Sequence, residues 1–547
     1  MDKRTITALL MMLVLYLVFD HFVWKPRRDN ARIATQNSEV VESPQSSQSP
    51  QNTFTDSTDQ ALAATVNVDS LFIQSAEAEI LFLENENIKV GFNTKGAVIN
   101  SIQLKHFDFG PENLVDLIPN HAQILGANIY SGGNTIDLSA YNFNYTLNEQ
   151  SRSIEFSLAS ANDAVVKRVY RLDEQYGIIM DTNIQNIGSV NGVRYDLLAG
   201  IADSENNTKS KAQDYRFYLY ADNEILKVTL SKMRKNPPQG SFGSYAWSAV
   251  RSKYFTLALK ENEPPLSKSF NTQINADTGN PGFAIDSFSA ESKANWQQSF
   301  VLYAGPADAK ILKSYGRQME NIAERGASWL RWLANIIAWF LSWLHGYIQN
   351  YGVVILILAL VIKIILHPLT HKSMDASLKM QKIQPQMQYL QKKYKDDPKT
   401  LQLEMSKLYK EAGANPLSGC LPLLLQMPIF FALYNVLRYS LDMRNAGFIF
   451  WLKDLSEPDP YMILPIIMGL FMIIQSLMMQ PKKIQTEDMD DKQKAAQSSQ
   501  KMMTWMMPIM MFFIFRNMPA GLVLYWTVFN IFSVIQQYYL LKRHNKE

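Results

Sequence analysis

Five apolar segments crowd toward the C-terminus, at about 351–369, 418–438, 461–479, 502–515 and 520–540. Four of them approach the roughly 20 residues a helix needs to cross a hydrocarbon core of about 30 Å, where only helices or closed barrels satisfy their backbone. This part of the chain is therefore restricted to a membrane helical bundle. Averages over all 547 residues hide that restriction. Mean hydropathy is −0.13, a soluble-looking value, although charged residues make up only 19%, below the roughly 25% of ordinary soluble chains. Methionine exposes the asymmetry, since 19 of the 25 fall after residue 370.

A sixth apolar segment opens the chain. Lys3 and Arg4 precede an apolar run from Ile6 to Phe19, as in an export signal, but no small-residue cleavage site follows. The pattern predicts an uncleaved transmembrane anchor over 1–24. Residues 25–62 are rich in Ser, Gln, Asn, Thr and Pro, with too few apolar side chains to offset the entropy of ordering, and predict a flexible linker.

From about 65 to 307, within a domain bounded at 63–326, the apolar period becomes two, as in Ile88, Val90 and Phe92, in Tyr141, Phe143, Tyr145 and Leu147, and in Ile154, Phe156 and Leu158. No helical segments alternate with these runs, which predicts a large β-sandwich. It should close with a helix presenting Ile311, Tyr315, Met319 and Ile322 on one face. Residues 327–346 repeat Trp at helical spacing (Trp329, Trp332, Trp339, Trp343) beside a polar strip of Arg331, Asn335, Ser342 and His345. That composition fits a helix lying flat in the bilayer interface.

Basic residues settle the topology. Nine Lys or Arg occur in 371–417 and five in 480–501, against two in 439–460 and one in 516–519. With six spans the positive-inside rule places both termini and the 371–417 loop in the cytoplasm and the β-domain outside, which in a Gram-negative cell is the periplasm. A seventh span at the Trp helix would invert every later loop. Residues 347–541 then form a five-span core, and 542–547 a short basic tail. Within 371–417, Met380, Ile383, Met387, Leu390 and Tyr394 form one stripe, Pro398 starts a second helix, and Leu401, Met405 and Leu408 continue. This predicts a helical hairpin, readable either as a landing site for an incoming chain or ribosome or as a solvated cap.

Lys363 is the strongest chemical signal, because a charge at the centre of a span costs about 2.5–3.5 kcal/mol on insertion scales. It either serves a purpose inside the bundle or snorkels to the cytoplasmic boundary. Polar groups available to surround it are Gln426 or Asn435, Gln475, and the three-four row Thr527, Asn530, Ser533 and Gln537. Gln426 and Asn435 are nine residues apart, so at most one shares a cavity with Lys363. Met468, Met472, Gln475 and Met479 share a helix face, readable as an adaptable surface for apolar ligands or as lipid-facing filler. The 502–515 segment would rise only about 21 Å, which predicts local thinning or a hydrated indentation.

Catalytic constellations are absent: no HExxH, Walker A, GxGxxG or GxSxG occurs. Cys420 is the single cysteine, which excludes an intrachain disulfide and Cys-paired zinc. His367 and His371 have metal-ligand spacing but no carboxylate companion within that turn, so no metal or cofactor is expected. The formal charge of +3 points to no nucleic acid.

From Lys363 onward the chain resembles the YidC/Oxa family of membrane protein insertases. The resemblance rests on HPLT at 367–370, on Asn415, Pro416, Leu417, Ser418, Gly419 and Cys420, and on the run from Pro422 through Gln426, Met427 and Pro428 to Phe430. It also rests on Asp459, Pro460 and Tyr461, and on Pro519, Ala520 and Gly521 leading to Tyr525 and Trp526. It implies a groove open to cytoplasm and lipid, with Lys363 as its charge and Met427, Pro428, Tyr525 and Trp526 as substrate contacts. Gln426, Met472, Gln475 and Asn530 complete the candidate groove. It further implies nascent inner-membrane proteins as clients, chaperone activity, the Sec translocon and its accessory subunits, the ribosome and the signal recognition particle receptor as partners, and a mutarotase-like β-supersandwich without sugar chemistry. Many relatives carry arginine where Lys363 stands, so a bidentate guanidinium contact is not essential here. The competing reading is an envelope transporter or carbohydrate-active membrane enzyme using the β-domain.

Overall fold

The computed structural model describes residues 72, 77–109, 113–160, 163–205, 207–243, 245–262, 267–323, 326, 328–395, 397–413, 421–478 and 505–544. The expected anchor (1–24), the linker (25–62), the 414–420 motif with Cys420, Met479, the 480–501 loop and residues 545–547 lie outside them. The chain divides into two compact units, one ending at Glu324 and one beginning at Arg325.

The first unit is β-rich. Ile80–Glu84, Ile88–Asn93, Val98–Asp108 and Leu114–Asp116 make a four-stranded antiparallel sheet in chain order. A 13-stranded sheet is built around the antiparallel pair Gly177–Leu197 and Pro281–Pro306. These long strands bend where the register shifts between Gln185 and Gly192, as bulges do. Alternation sorts side chains as the period of two requires: Ile88, Val90, Phe92, Ile154, Phe156 and Leu158 are buried. The Tyr141–Leu147 run departs from this. Tyr141 and Phe143 are buried, but Tyr145 and Leu147 fall on the edge strand Asn144–Asn148 and stay exposed. The expected closing helix is also broken. Ala309–Ser314 is helical and buries Leu312, then Gly316, Arg317 and Gln318 turn the chain through positive φ. Met319 and Ile322 are buried from a separate 3-10 turn, Met319–Ala323.

The second unit is helical: α1 (Arg331–His345), α2 (Tyr351–Lys393), α3 (Pro398–Glu411), α4 (Leu421–Tyr439), α5 (Ile463–Met478), α6 (Trp505–Phe515) and α7 (Ala520–His544). Helix α1 buries Ala334, Ile337 and Leu341, spaced by three and four, and leaves Trp332, Trp339 and Trp343 exposed. Asn350 caps α2, its side-chain oxygen accepting from Val353 N at 3.1 Å. Helix α2 does not stop near residue 370. It continues for 43 residues through Pro368 and Pro385, so the span and the first hairpin helix are one element. The change from apolar to charged residues there marks a change of surroundings, not of backbone. Asp397 caps α3 with Pro398 in its first turn, as the sequence predicts. Among the described residues α2 and α7 (to Arg543) are long and apolar enough to cross a membrane, while α5 and α6 are apolar but shorter. Their common core includes Val354, Leu358, Leu433, Val436, Val523 and Phe529.

Candidate functional site

Helix α7 organises the interior of the bundle because its sequence carries one polar row on an otherwise apolar rod. Thr527, Asn530, Ser533 and Gln537 recur at three and four, and all four are buried against neighbouring helices. Thr527 and Ser533 each return their hydroxyl proton to their own helix, at Val523 O (2.7 Å) and Phe529 O (2.8 Å).

Lys363 reaches this row from α2. It is 6% exposed, so its ammonium does not snorkel to water. Nζ donates to Ser533 Oγ at 2.8 Å and sits 4.7 Å from the centre of the Phe529 ring, a cation–π contact. Among the described residues no carboxylate stands within ion-pair distance of it. An ammonium carries three N–H donors, and a hydroxyl with an aromatic face leaves it short of the anionic partner that a buried charge ordinarily demands.

The other expected residues come from α4, α5 and α7. Gln537 Nε2 points at Gln475 O on α5, 3.5 Å away. Gln426 of α4 lies beside the Tyr525 hydroxyl, and both are buried. Asn530 Nδ2 has no protein hydrogen-bond partner among the described residues, and Gln426 and the Tyr525 hydroxyl have only each other as polar neighbours. From Tyr525 to Gln537 the row rises about 18 Å. Trp526 stands between Phe430 and Phe515, with ring centres 5.2 and 5.5 Å away. Met427 and Pro428 are half-buried, and Met472 packs on the core from α5. Asn435 donates instead to Phe431 O of its own helix at 2.7 Å, so of the two α4 amides Gln426 is the one near the row.

Two residues join the site whose part in it sequence spacing does not single out, Ser533 as the lysine's hydrogen-bond partner and Phe529 beneath it. Their signal is present in the α7 spacing, but choosing Ser533 over Asn530 requires knowing how α2 packs on α7. Thr370, directly after the continuous apolar run of α2, lies 3.5 Å from Gln536 Oε1 and extends the contact along α2 and α7. Beyond the turn that holds the two histidines, Asp375 Oδ2 is 3.3 Å from His371 Nδ1, one turn along α2. Among the described residues no group of three or more metal-ligating side chains forms.

Similarity to known proteins covers both units. The family model described as 60Kd inner membrane protein matches residues 343–547, and the one described as YidC periplasmic domain matches 81–340. A solved structure of an active YidC insertase is 18% identical, covering 86% of this chain and 95% of that one, with a TM-score of 0.35, too low to carry a structural argument. The membrane protein insertase YidC of Chlorobium limicola is 30% identical over 99% of this chain and 94% of its own. That of Syntrophus aciditrophicus is 31% identical over 99% of this chain and all of its own. The chain belongs to the YidC family of membrane protein insertases.

Proposed function

We propose that this insertase moves nascent transmembrane segments into the inner membrane along the polar row of α7, with Lys363 as the charge that draws hydrophilic and acidic parts of the client inward. The observation that carries this reading is the isolation of Lys363: a buried cation with a hydroxyl and a ring for company retains the capacity to bind an anionic group. Buried amide and hydroxyl groups of Gln426, Tyr525 and Asn530 add donors for a polar chain, lowering the main barrier to entry, which is unmet hydrogen bonding in lipid. Met427, Pro428, Met472, Gln475 and Trp526 line the same passage. Hydrophobic partitioning of the client supplies the driving force, so no nucleotide is needed.

The rest of the reading concerns arrangement. Six spans, counting the N-terminal anchor and five in the core, put both termini and the α2–α3 hairpin in the cytoplasm and the β-unit, as a supersandwich, in the periplasm. The lysines of 371–417 support that orientation. The boundaries proposed are 63–326 for the β-domain, 327–346 for the interfacial helix and 347–541 for the core. Assistance to folding clients, action beside the Sec translocon, and contact of the hairpin with the ribosome or the signal recognition particle receptor belong to the same proposal.

The test is insertion of a short single-span, phage-coat-like client into proteoliposomes holding this protein alone, comparing wild type with Lys363→Ala and Lys363→Arg. Insertion lost with alanine and kept with arginine supports a groove charge. Equal activity in all three removes Lys363 from the mechanism.

A further inference from the structure

Among the described residues Phe450 is the most exposed large apolar side chain, at 90%, and it sits in the connection between α4 and α5. Its φ of +46° is in the left-handed region, which is strained for a bulky residue and persists only where surrounding structure enforces it. The enforcement is visible. Phe448 N donates to Leu452 O at 2.8 Å and Leu452 N to Ile449 O at 3.0 Å, closing a turn around the ring. Phe450 stacks on Trp451 at 6.4 Å and 12°. Trp451 Nε1 in turn donates to Asp459 Oδ1 at 3.1 Å, and the same carboxylate accepts from Tyr461 N and Leu464 N at the start of α5. The exposed ring is braced from below.

The depth of this turn is also fixed. Asn350, the cap of α2, donates through Nδ2 to Phe448 O at 3.0 Å, and a Cβ at Gly352 would collide with the Phe448 ring. Farther along the connection, Leu455 O accepts from Gly521 N at 2.9 Å and Glu457 O from Ala520 N at 2.7 Å. The turn is thus tied to the first turns of α2 and α7, the two helices long and apolar enough to span a membrane, and the ends of spanning helices lie at the bilayer boundary. Aromatic side chains are enriched there because they present an apolar body to acyl chains at headgroup depth. Helix α1 reaches the same level: His345 stacks on Tyr351 at 3.7 Å, and Trp339, Trp343 and Tyr347 form a contiguous exposed aromatic row.

We propose that Ile449, Phe450 and Trp451 form a lipid-inserting wedge, seated in the interfacial layer of one leaflet, which together with the aromatic row of α1 sets the depth of the bundle in the membrane. The occupant of this surface is the phospholipid headgroup and upper acyl region. The inference depends on family membership and on the depth of the turn, and is independent of the role of Lys363.

The experiment uses the full chain carrying Cys420→Ser, so that an added cysteine is unique, in vesicles of phosphatidylcholine and phosphatidylglycerol. An environment-sensitive fluorophore is placed at Ile449→Cys, which leaves the Phe450 ring intact, and separately at Phe450→Cys. References are Ile364→Cys, exposed on the apolar part of α2, and Tyr145→Cys, exposed on the β-unit. At both loop positions lipids with a shallow nitroxide should quench at least about twofold more than lipids with a deep one, with iodide quenching well below that at Tyr145→Cys. Iodide quenching equal to that at Tyr145→Cys places the turn in water and overturns the proposal. Protection from every quencher means protein covers the turn, a second copy included, and overturns it equally.

Discussion

Each unit of this protein buries cations, but surrounds them differently. Arg168 of the β-unit is fully buried, and its guanidinium donates to three carbonyls: Gly96 O and Ala97 O at 3.1 Å and Leu125 O at 2.7 Å. Lys268 pairs with the equally buried Glu261 and also reaches Tyr245 O at 3.0 Å, while Gln298 donates to the other oxygen of that carboxylate at 2.8 Å. Burial alone pulls the Lys268 ammonium below its usual range, and Glu261 opposes that pull. Lys363 of the helical unit has Ser533 and the Phe529 ring. A cation held by several carbonyls or by a carboxylate ties chain segments together, even though Arg168 Nε itself finds no hydrogen-bond partner among the described residues. One with a shell left short is available to something that arrives later.

The largest effect should come from the fuller shells of the β-unit. Arg168→Leu strands the buried carbonyls of Gly96 and Leu125, Ala97 O keeping the Tyr170 hydroxyl at 2.7 Å, and should cost about 3–5 kcal/mol of stability. Denaturant unfolding of the full chain in detergent, read on the near-ultraviolet signal, measures it. A cost under about 1 kcal/mol would break the comparison, since Arg168 would then be no more structural than Lys363. Glu261→Leu should be comparable because it leaves Lys268 buried and unpaired, at about 3–5 kcal/mol, and adding Lys268→Met should recover most of that loss. Failure of the double variant to recover would mean that Gln298 and Ser287, not the ion pair, dominate this cluster.

Lys363→Met sharpens the comparison from the other side. No acid is left behind when this charge is removed, so unfolding should change by less than about 1 kcal/mol, whereas client insertion should fall about tenfold, equivalent to about 1.4 kcal/mol. A loss of stability as large as that of Arg168→Leu would make Lys363 a structural residue and the insertion defect a by-product.

The helical half of this contrast is legible in the order of residues along the chain. A lysine inside an apolar run and a polar row at helical spacing are one-dimensional signals, and the structure puts Lys363 against that row. The start of α3 is legible too, because Asp397 and Pro398 act within one turn. What escapes is set by tertiary packing or by its absence. Periodicity shows that Tyr145 and Leu147 share a face but not that the face is an uncovered sheet edge. The end of apolar sequence near 370 resembles the end of a helix, although α2 runs on to Lys393 because its backbone hydrogen bonds do not depend on what surrounds them. Phe450 gives no signal, since its exposure follows from a turn closed by Phe448, Ile449 and Leu452.

The smallest effect on insertion tests how Lys363 is held. Ser533→Ala removes the hydroxyl that accepts from Nζ, while its own proton already goes to Phe529 O within α7. Only one neutral partner of a charged group is lost, and a helix-buried alanine leaves little void, so the stability cost should be about 0.5–1.5 kcal/mol. The charge remains, and with it the attraction for an acidic client segment, so insertion should stay within about threefold of wild type. Combining Ser533→Ala with Lys363→Met should then add no further stability cost, because the hydroxyl has no cation left to serve. A double variant whose losses simply sum would show that Ser533 acts through packing of α7, and that the hydrogen bond to Lys363 has no energetic consequence.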